Sequence, residues 1–308
     1  MKNLKYYIQR AYKEGWAIGQ FNFSDFSELK AIVNSAVSLK SPIILGTSEG
    51  ESGFIGLEEA VLMRNFLRKK TGLPIFLNLD HGKSFEYLKK AINAGYDMVH
   101  FDGSKLSLED LPASATQKAL QAGNISISKK VVAYAKWRGV LVEGEVGRIG
   151  TDASRVYEEK FEIKEEYLTK PEEAVEYVKK TSLRQGFGRQ AGVDVLAVSV
   201  GTFHGIDAMG ESPHIRLDRL KEIREKINIP MVLHGGSGTP ENDIKESIKL
   251  GIVKININTE IRKAFAERLL QDLQKGEIVP YKFLPGAMEA VSKVVEDEIR
   301  LFGSENKA

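Results

Sequence analysis

Short, β-rich apolar runs alternate with stretches of helical periodicity along most of the chain. Eight such runs stand out: 17–22 (AIGQFN), 42–48 (PIILGTS), 74–82 (PIFLNLDHG), 98–104 (MVHFDGS), 140–147 (VLVEGEVG), 195–205 (VLAVSVGTFHG), 230–238 (PMVLHGGSG) and 253–259 (VKININT). Most are continuously apolar where they begin, as strands covered on both faces must be. Between them the spacing predicts helices over 57–71, 84–94, 125–137, 171–181, 260–275 and 286–302. Gly72, Gly95 and Gly276 supply stops, and Ser84 supplies an N-cap. A further helix starts at Thr239-Pro240, a cap followed by proline at the first helical position, and ends before Gly251. Eight strands alternating with helices predict an α/β fold, a single-domain (β/α)8 TIM barrel. An open doubly wound sheet is the alternative, but no G-x-G-x-x-G follows an early strand.

The runs are polarised. The apolar part comes first and the reactive side chains come last: Asn22, Ser48, Asp80-His81, Asp102, Glu143 and Glu145, His204, His234, Asn256. In a barrel these ends all open on one face, where active sites sit. Two stretches break the regular spacing, 111–123 and 182–191 (SLRQGFGRQA), and both read as insertions. The second precedes a strand and is expected on the face away from the chemistry.

Composition narrows the chemistry. The 308 residues contain no cysteine and five histidines, with 44 Lys+Arg against 42 Asp+Glu. Thiolate metal sites, disulfides and a catalytic thiol are therefore excluded. The near-zero net charge argues against a nucleic-acid or anionic-membrane partner. No apolar stretch reaches the roughly 18 residues of a membrane span, and the first 15 residues lack a signal-peptide core. A cytoplasmic setting is expected.

His81, His204 and His234 each end a strand run, so one barrel mouth can gather three imidazoles around a divalent cation, zinc by default. His100, inside a run, and His214, after Pro213, read as packed or surface residues. Asp80 is a candidate general acid/base. It and His81 reach one site only if the strand ends or bulges there, and Gly82 would permit the turn. Glu143 and Glu145 share a strand face, as a cation site or as partners for barrel lysines. Gly235, Gly236, Ser237 and Gly238 open one helix, and Asn256, Ile257, Asn258 and Thr259 open the next. Backbone N–H groups there suit a phosphate.

The set NLDHG (78–82), FDGS (101–104), VEGEVG (142–147), VGTFHG (200–205), LHGGSG (233–238) and KININTE (254–260) resembles the class II, metal-dependent ketose-bisphosphate aldolases. The resemblance covers almost the whole chain. It implies reversible cleavage of fructose 1,6-bisphosphate to dihydroxyacetone phosphate and glyceraldehyde 3-phosphate, or cleavage of tagatose 1,6-bisphosphate or another ketose phosphate. It implies zinc on His81, His204 and His234, with Asp102 and Glu145 at a second or alternative metal position, and Asp80 handling the C4 hydroxyl proton. Gly205, Gly235, Gly236, Ser237, Asn256, Ile257, Asn258 and Thr259 would hold dihydroxyacetone phosphate, often with Na+ or K+. Asn22 and Ser48 would contact the ketose, and Arg262 would meet the second phosphate. Family members are usually homodimers or homotetramers. The usual acidic loop motif after strand five is replaced by GRIGTDASRVYEE (147–159), leaving Asp152, Glu158 and Glu159 as candidates for the C1 proton. No lysine has a distinctive setting; Lys254 in the last strand is the one a Schiff-base mechanism would need. A metal-dependent hydrolase barrel would carry H-x-H in its first strand, which AIGQFN lacks. A non-catalytic phosphate-binding module would not need Asp80 and the three histidines.

Overall fold

The structure, a computed structural model, describes residues 2–106, 117–149, 155–157, 163–183, 192–207 and 213–308. Eight parallel strands close into a barrel: β1 (Ile18–Asn22), β2 (Ile43–Ser48), β3 (Ile75–Gly82), β4 (Met98–Phe101), β5 (Leu141–Val146), β7 (Val195–Val198), β9 (Met231–Leu233) and β10 (Ile252–Ile257). Two further strands, β6 (Arg155–Tyr157) and β8 (Gly205–Asp207), pair with each other outside it. Closure comes from β1, which pairs with β2 on one side and β10 on the other. The surrounding helices are α1 (Leu4–Glu14), α2 (Phe26–Ser38), α3 (Glu49–Ile55), α4 (Leu57–Thr71), α5 (Phe85–Ala94), α6 (Gln117–Lys136), α7 (Pro171–Thr181), α8 (Leu217–Lys226), α9 (Glu241–Lys249), α10 (Thr259–Gln274) and α11 (Pro280–Leu301). None of the described helices is long and apolar enough to cross a membrane.

Period-two alternation sorts the strand residues. One set (Leu45, Leu77, Leu79, Val99, Val142, Leu196) packs outward against the helices in the main core. The other set faces inward and changes character along each strand. Ile18, Ile44, Phe76, Met98 and Leu141 come first and pack with Tyr7, Ile8 and Trp16, so α1 and its following turn plug the barrel floor. Two residues on come Gln20, Asn78, His100, Glu143 and Lys254, all fully buried. Two residues further stand Asn22, Asp80, Asp102, Glu145 and Asn256 at the mouth. Apolar floor, polar middle and polar mouth are thus written as i, i+2, i+4 within single strands.

Several elements differ from the periodicity reading. The run 98–104 is strand only to Phe101; Asp102 then caps a short 3-10 turn, Gly103–Lys105. Runs 195–205 and 230–238 stop as strands at Val198 and Leu233 because Gly201 and Gly235 adopt left-handed backbone, φ 108° and 64°. Thr239 is not the α9 cap. Its hydroxyl donates to the Gly235 carbonyl (3.3 Å), and the helix starts at Glu241. Helix α6 begins eight residues before 125, at Gln117. Much of the proposed 111–123 insertion is therefore the start of a helix; 111–116 and 184–191 lie outside the described residues. Helix α11 begins at Pro280, ahead of the expected 286, and carries Pro285 in its second turn. Helices α1, α2, α3 and α8 were not anticipated. Ser84, Gly72 and Gly95 cap as expected.

Candidate active site

A cavity of about 540 Å³ opens at the C-terminal ends of the strands. Asn22, Ser48, Asp80, His81, Asp102, His204, Gly205, Gly235, Ser237, Asn256, Asn258, Thr259 and Arg262 line it. Of the other expected site residues, His234 and Glu145 lie just beneath. Gly236 donates its N–H to the Asn256 carbonyl (3.3 Å), and Ile257 is fully buried in the core. Asp152, Glu158 and Glu159 are outside the described residues.

Asp80 and His81, neighbours in β3, both reach the site because of a kink. His81 itself takes left-handed backbone (φ 52°), and the β3–β4 register shifts between Leu79 and Gly82. A non-glycine residue held there is a strained feature that the surroundings must enforce. The sequence points to Gly82 for this turn, but Gly82 serves close packing: a Cβ there would lie 2.8 Å from Leu88 and 3.1 Å from the His100 carbonyl.

The imidazoles converge. The His81 ring centroid is 4.5 Å from His204, 4.8 Å from His234 and 4.7 Å from His100. His81 Nδ1 meets Asp102 Oδ2 at 2.8 Å, and His234 Nε2 meets Glu143 Oε1 at 2.6 Å. Each ring donates its outer N–H to a carboxylate, so His81 Nε2 and His234 Nδ1 face each other at 3.0 Å; burial would lower His81, but Asp80 and Asp102 outweigh it and raise it, so a proton on Nε2 can bridge the two nitrogens. A bound divalent cation would take the place of that proton. Two nitrogens about 2.1 Å from one tetrahedral cation would be roughly 3.4 Å apart. Donor atoms gather within 4.8 Å in two groups, Asp80/His81/His100/His234 and His81/Asp102/Glu145. Neither group contains His204, whose ring stands edge-on to His81. Burial pushes His234 down to about 4, and burial with the facing His81 and His234 pushes His204 well down, so both rings are neutral donors. Among the described residues, four buried carboxylates (Asp80, Asp102, Glu143, Glu145) gather here with Lys254 and with His81 and His100, which the neighbouring carboxylates raise against their burial. The donor set fits a divalent cation.

Asp80 accepts from Asn256 Nδ2 on one oxygen and Asn22 Nδ2 on the other, each at 3.1 Å. Burial would raise its carboxyl, but His81, His100, His234 and Lys254 outweigh that and hold it well below the usual carboxylate range. It therefore rests ionised, ready to accept a proton. Lys254 is fully buried, pairs with Glu143 Oε2 (2.8 Å) and donates to Asn256 Oδ1 (2.7 Å), which aims the Asn256 amide at Asp80. It is a positioning residue whose ammonium is held by these two partners. Glu143 is thus the barrel-lysine partner, whereas Glu145 Oε2 stands 3.2 Å from His100 Nε2. His100 also accepts the His81 backbone N–H (3.2 Å) and so braces the kink. Sequence reasoning placed His100 as a packed residue and singled out Lys254, but it did not see the positioning role of either. Their signal was the strand period, two residues before Asp102 and Asn256. His214 is exposed and pairs with Asp243, as a surface residue should.

The glycine-rich side is built as a tight turn. Gly235 has φ 64°, and a Cβ on it would lie 2.2 Å from the Phe203 carbonyl oxygen. Glu260 accepts from the Gly238 N–H and donates its own N–H to Ser237 Oγ (3.4 Å), tying the first turn of α10 to this loop.

With this geometry in view, residues 2–307 match the family described as fructose-bisphosphate aldolase class-II. The chain belongs to that family. A sulfofructosephosphate aldolase from Alkalicoccus urumqiensis is 35% identical over 304 residues, covering 98% of this chain and 96% of that protein. A fructose-bisphosphate aldolase from Helicobacter pylori is 33% identical over 325 residues, covering 97% of each. Among solved structures, the YdjI aldolase from Escherichia coli K12 superposes with TM-score 0.77 at 28% identity, covering 100% of this chain and 99% of that one. As a class-II aldolase the chain is a carbon–carbon lyase, and its donor cluster is the place where the family's metal would be held.

Proposed function

We propose that the chain is a zinc-dependent aldolase that reversibly cleaves a ketose phosphate into dihydroxyacetone phosphate and an aldehyde. Fructose 1,6-bisphosphate is the first substrate to test, and tagatose 1,6-bisphosphate or another ketose phosphate is the alternative. The observation that carries the reading is the convergence of the His81, His204 and His234 rings beside the Asp80 carboxylate at the barrel mouth. His81, His204 and His234 would hold the zinc, with Asp102 and Glu145 available to a second or alternative position. Bound zinc supplies Lewis-acid stabilisation of the negative charge left on the ketone half.

Asp80 removes the C4 hydroxyl proton. The C3–C4 bond then breaks, C4 becomes the aldehyde carbonyl, and the bonding pair stays with the three-carbon phosphate half. Protonation of that half gives dihydroxyacetone phosphate; Asp152, Glu158 and Glu159 are the candidates to deliver the proton. Gly205, Gly235, Ser237, Asn258 and Thr259 would cradle the phosphate, with Na+ or K+ beside them, and Asn22 would orient Asp80. One observation favours a ketose phosphate that lacks the second phosphate over either bisphosphate: Arg262, the expected contact for that phosphate, already carries a carboxylate partner. A homodimer or homotetramer working in the cytoplasm in sugar-phosphate metabolism is proposed with this reading, and light scattering on the purified protein checks the assembly.

The test is steady-state cleavage of fructose and tagatose bisphosphates with metal content measured on the same sample. Exhaustive EDTA should abolish activity and zinc should restore it; activity that survives chelation refutes the metal mechanism.

A further inference from the structure

The cavity has two unlike sides. The glycine turns after β7 and β9 and the Asn258-Thr259 step after β10 form one, and the segments after β2 and β3 stand across the barrel from β7 and β9. Arg262 reaches from α10 to the β2 segment, where its Nη2 meets Glu51 Oε1 at 2.5 Å. Glu51 is almost fully buried, with 6% of its side chain exposed, whereas Arg262 keeps 34%. The other Glu51 oxygen accepts the Ser48 N–H (2.7 Å) and Asn22 Nδ2 (3.0 Å). Glu51 thus closes the capping box of α3 and sits one amide away from Asp80, since Asn22 also donates to Asp80.

This side is poorly built for a phosphate. Its charged groups are Glu49, Glu51, Lys83 and Arg262, which cancel among the described residues. The Ser48 N–H and Arg262 Nη2 already serve Glu51, and Lys83 is the other cation on this side. A phosphate drawn to Arg262 would meet a fixed carboxylate at hydrogen-bond distance, a like-charge contact that disfavours it. A hydroxyl suits the pair, because it can donate to the Glu51 carboxylate and accept from the guanidinium.

We propose that Glu51, through its pair with Arg262, makes this aldolase select an unphosphorylated polyhydroxy-aldehyde half. The ketose would then be a 1-phosphate whose far end is a free hydroxyl. This rests on the aldolase reading above.

The experiment uses the zinc-loaded protein in the condensation direction, with dihydroxyacetone phosphate and either glyceraldehyde or glyceraldehyde 3-phosphate. Wild type should show the higher kcat/KM with glyceraldehyde. Glu51→Gln should shift the ratio at least about tenfold toward the phosphorylated aldehyde, mainly through KM. Arg262→Ala should weaken glyceraldehyde use as well. A wild-type preference for glyceraldehyde 3-phosphate, or a ratio unmoved by Glu51→Gln, overturns the proposal. Proton exchange on dihydroxyacetone phosphate in D2O, with no aldehyde present, reads the half-reaction separately. Exchange without condensation to glyceraldehyde sinks the acceptor assignment alone, whereas no exchange sinks the aldolase reading and this inference with it.

Discussion

At the scale of single residues, the site depends on how carboxylates set imidazoles. Asp102 and Glu143 each hold the outer nitrogen of a histidine, which turns the inner nitrogens of His81 and His234 toward one point. Asp80 adds an ionised carboxylate at the cavity, held by two asparagine amides. Asp80→Ala is expected to retain zinc, because the imidazoles stay in place, yet to lose about a hundredfold or more in turnover. Metal analysis and cleavage kinetics on the same preparation check this; near-wild-type turnover would remove Asp80 from its role. His100 shows the limit of reading residues singly. In sequence it is a lone histidine inside a strand. Only its position beneath His81, against Glu145, gives it a task.

At the scale of elements, the active residues sit where strands end and the backbone turns. Strand identity was readable because buried parallel strands are apolar runs. Their ends were read too late at Val198 and Leu233, because apolar and small residues continue past the point where Gly201 and Gly235 turn the chain. The irregular stretch after α7 is also an element-scale matter. A Cβ on Gly192 would lie 3.4 Å from the Ser182 Cα, so the residues flanking 184–191 are neighbours in space. Replacing 184–191 by a short glycine link should leave thermal stability and cleavage rate close to wild type. Loss of soluble protein on that deletion would show that the segment is integral to the fold and not an insertion.

At the scale of the whole molecule, the C-terminal helix is tied both to the chain's beginning and to the glycine-rich side of the barrel mouth. Ala17 N–H donates to the Phe302 carbonyl (3.0 Å), and Ala308 N–H to the Lys40 carbonyl (2.9 Å). On α11, Glu298 hydrogen-bonds Glu260, which itself holds the Gly238 N–H. Burial, then the facing Glu260 with Asp297 and Glu241, pushes the Glu298 carboxyl well above its ordinary range. Burial raises Glu260 as well. A carboxyl that holds its proton more tightly folded than unfolded contributes stability below its unfolded value, near 4.3 by the usual reference. That contribution disappears as pH rises through the folded value. Glu298→Gln should therefore flatten the decline of Tm on the alkaline side of the ordinary carboxylate range. Melting curves across that interval test it, and a decline as steep as wild type would mean that the pair does not share a proton.

The sequence by itself determined the barrel, because strand and helix periods are local and each run carries its own burial pattern. It determined which strand ends bear reactive groups, and the family motifs lie in those same positions. Tertiary structure decided what those groups do to one another. Glu143 and Glu145 are equivalent in sequence, two apart on one strand, yet one pairs with Lys254 and the other faces His100. Arg262 reads as a phosphate contact until Glu51, 211 residues away, is found against it. Charge pairing and proton placement depend on distances across the barrel, and no local pattern encodes those.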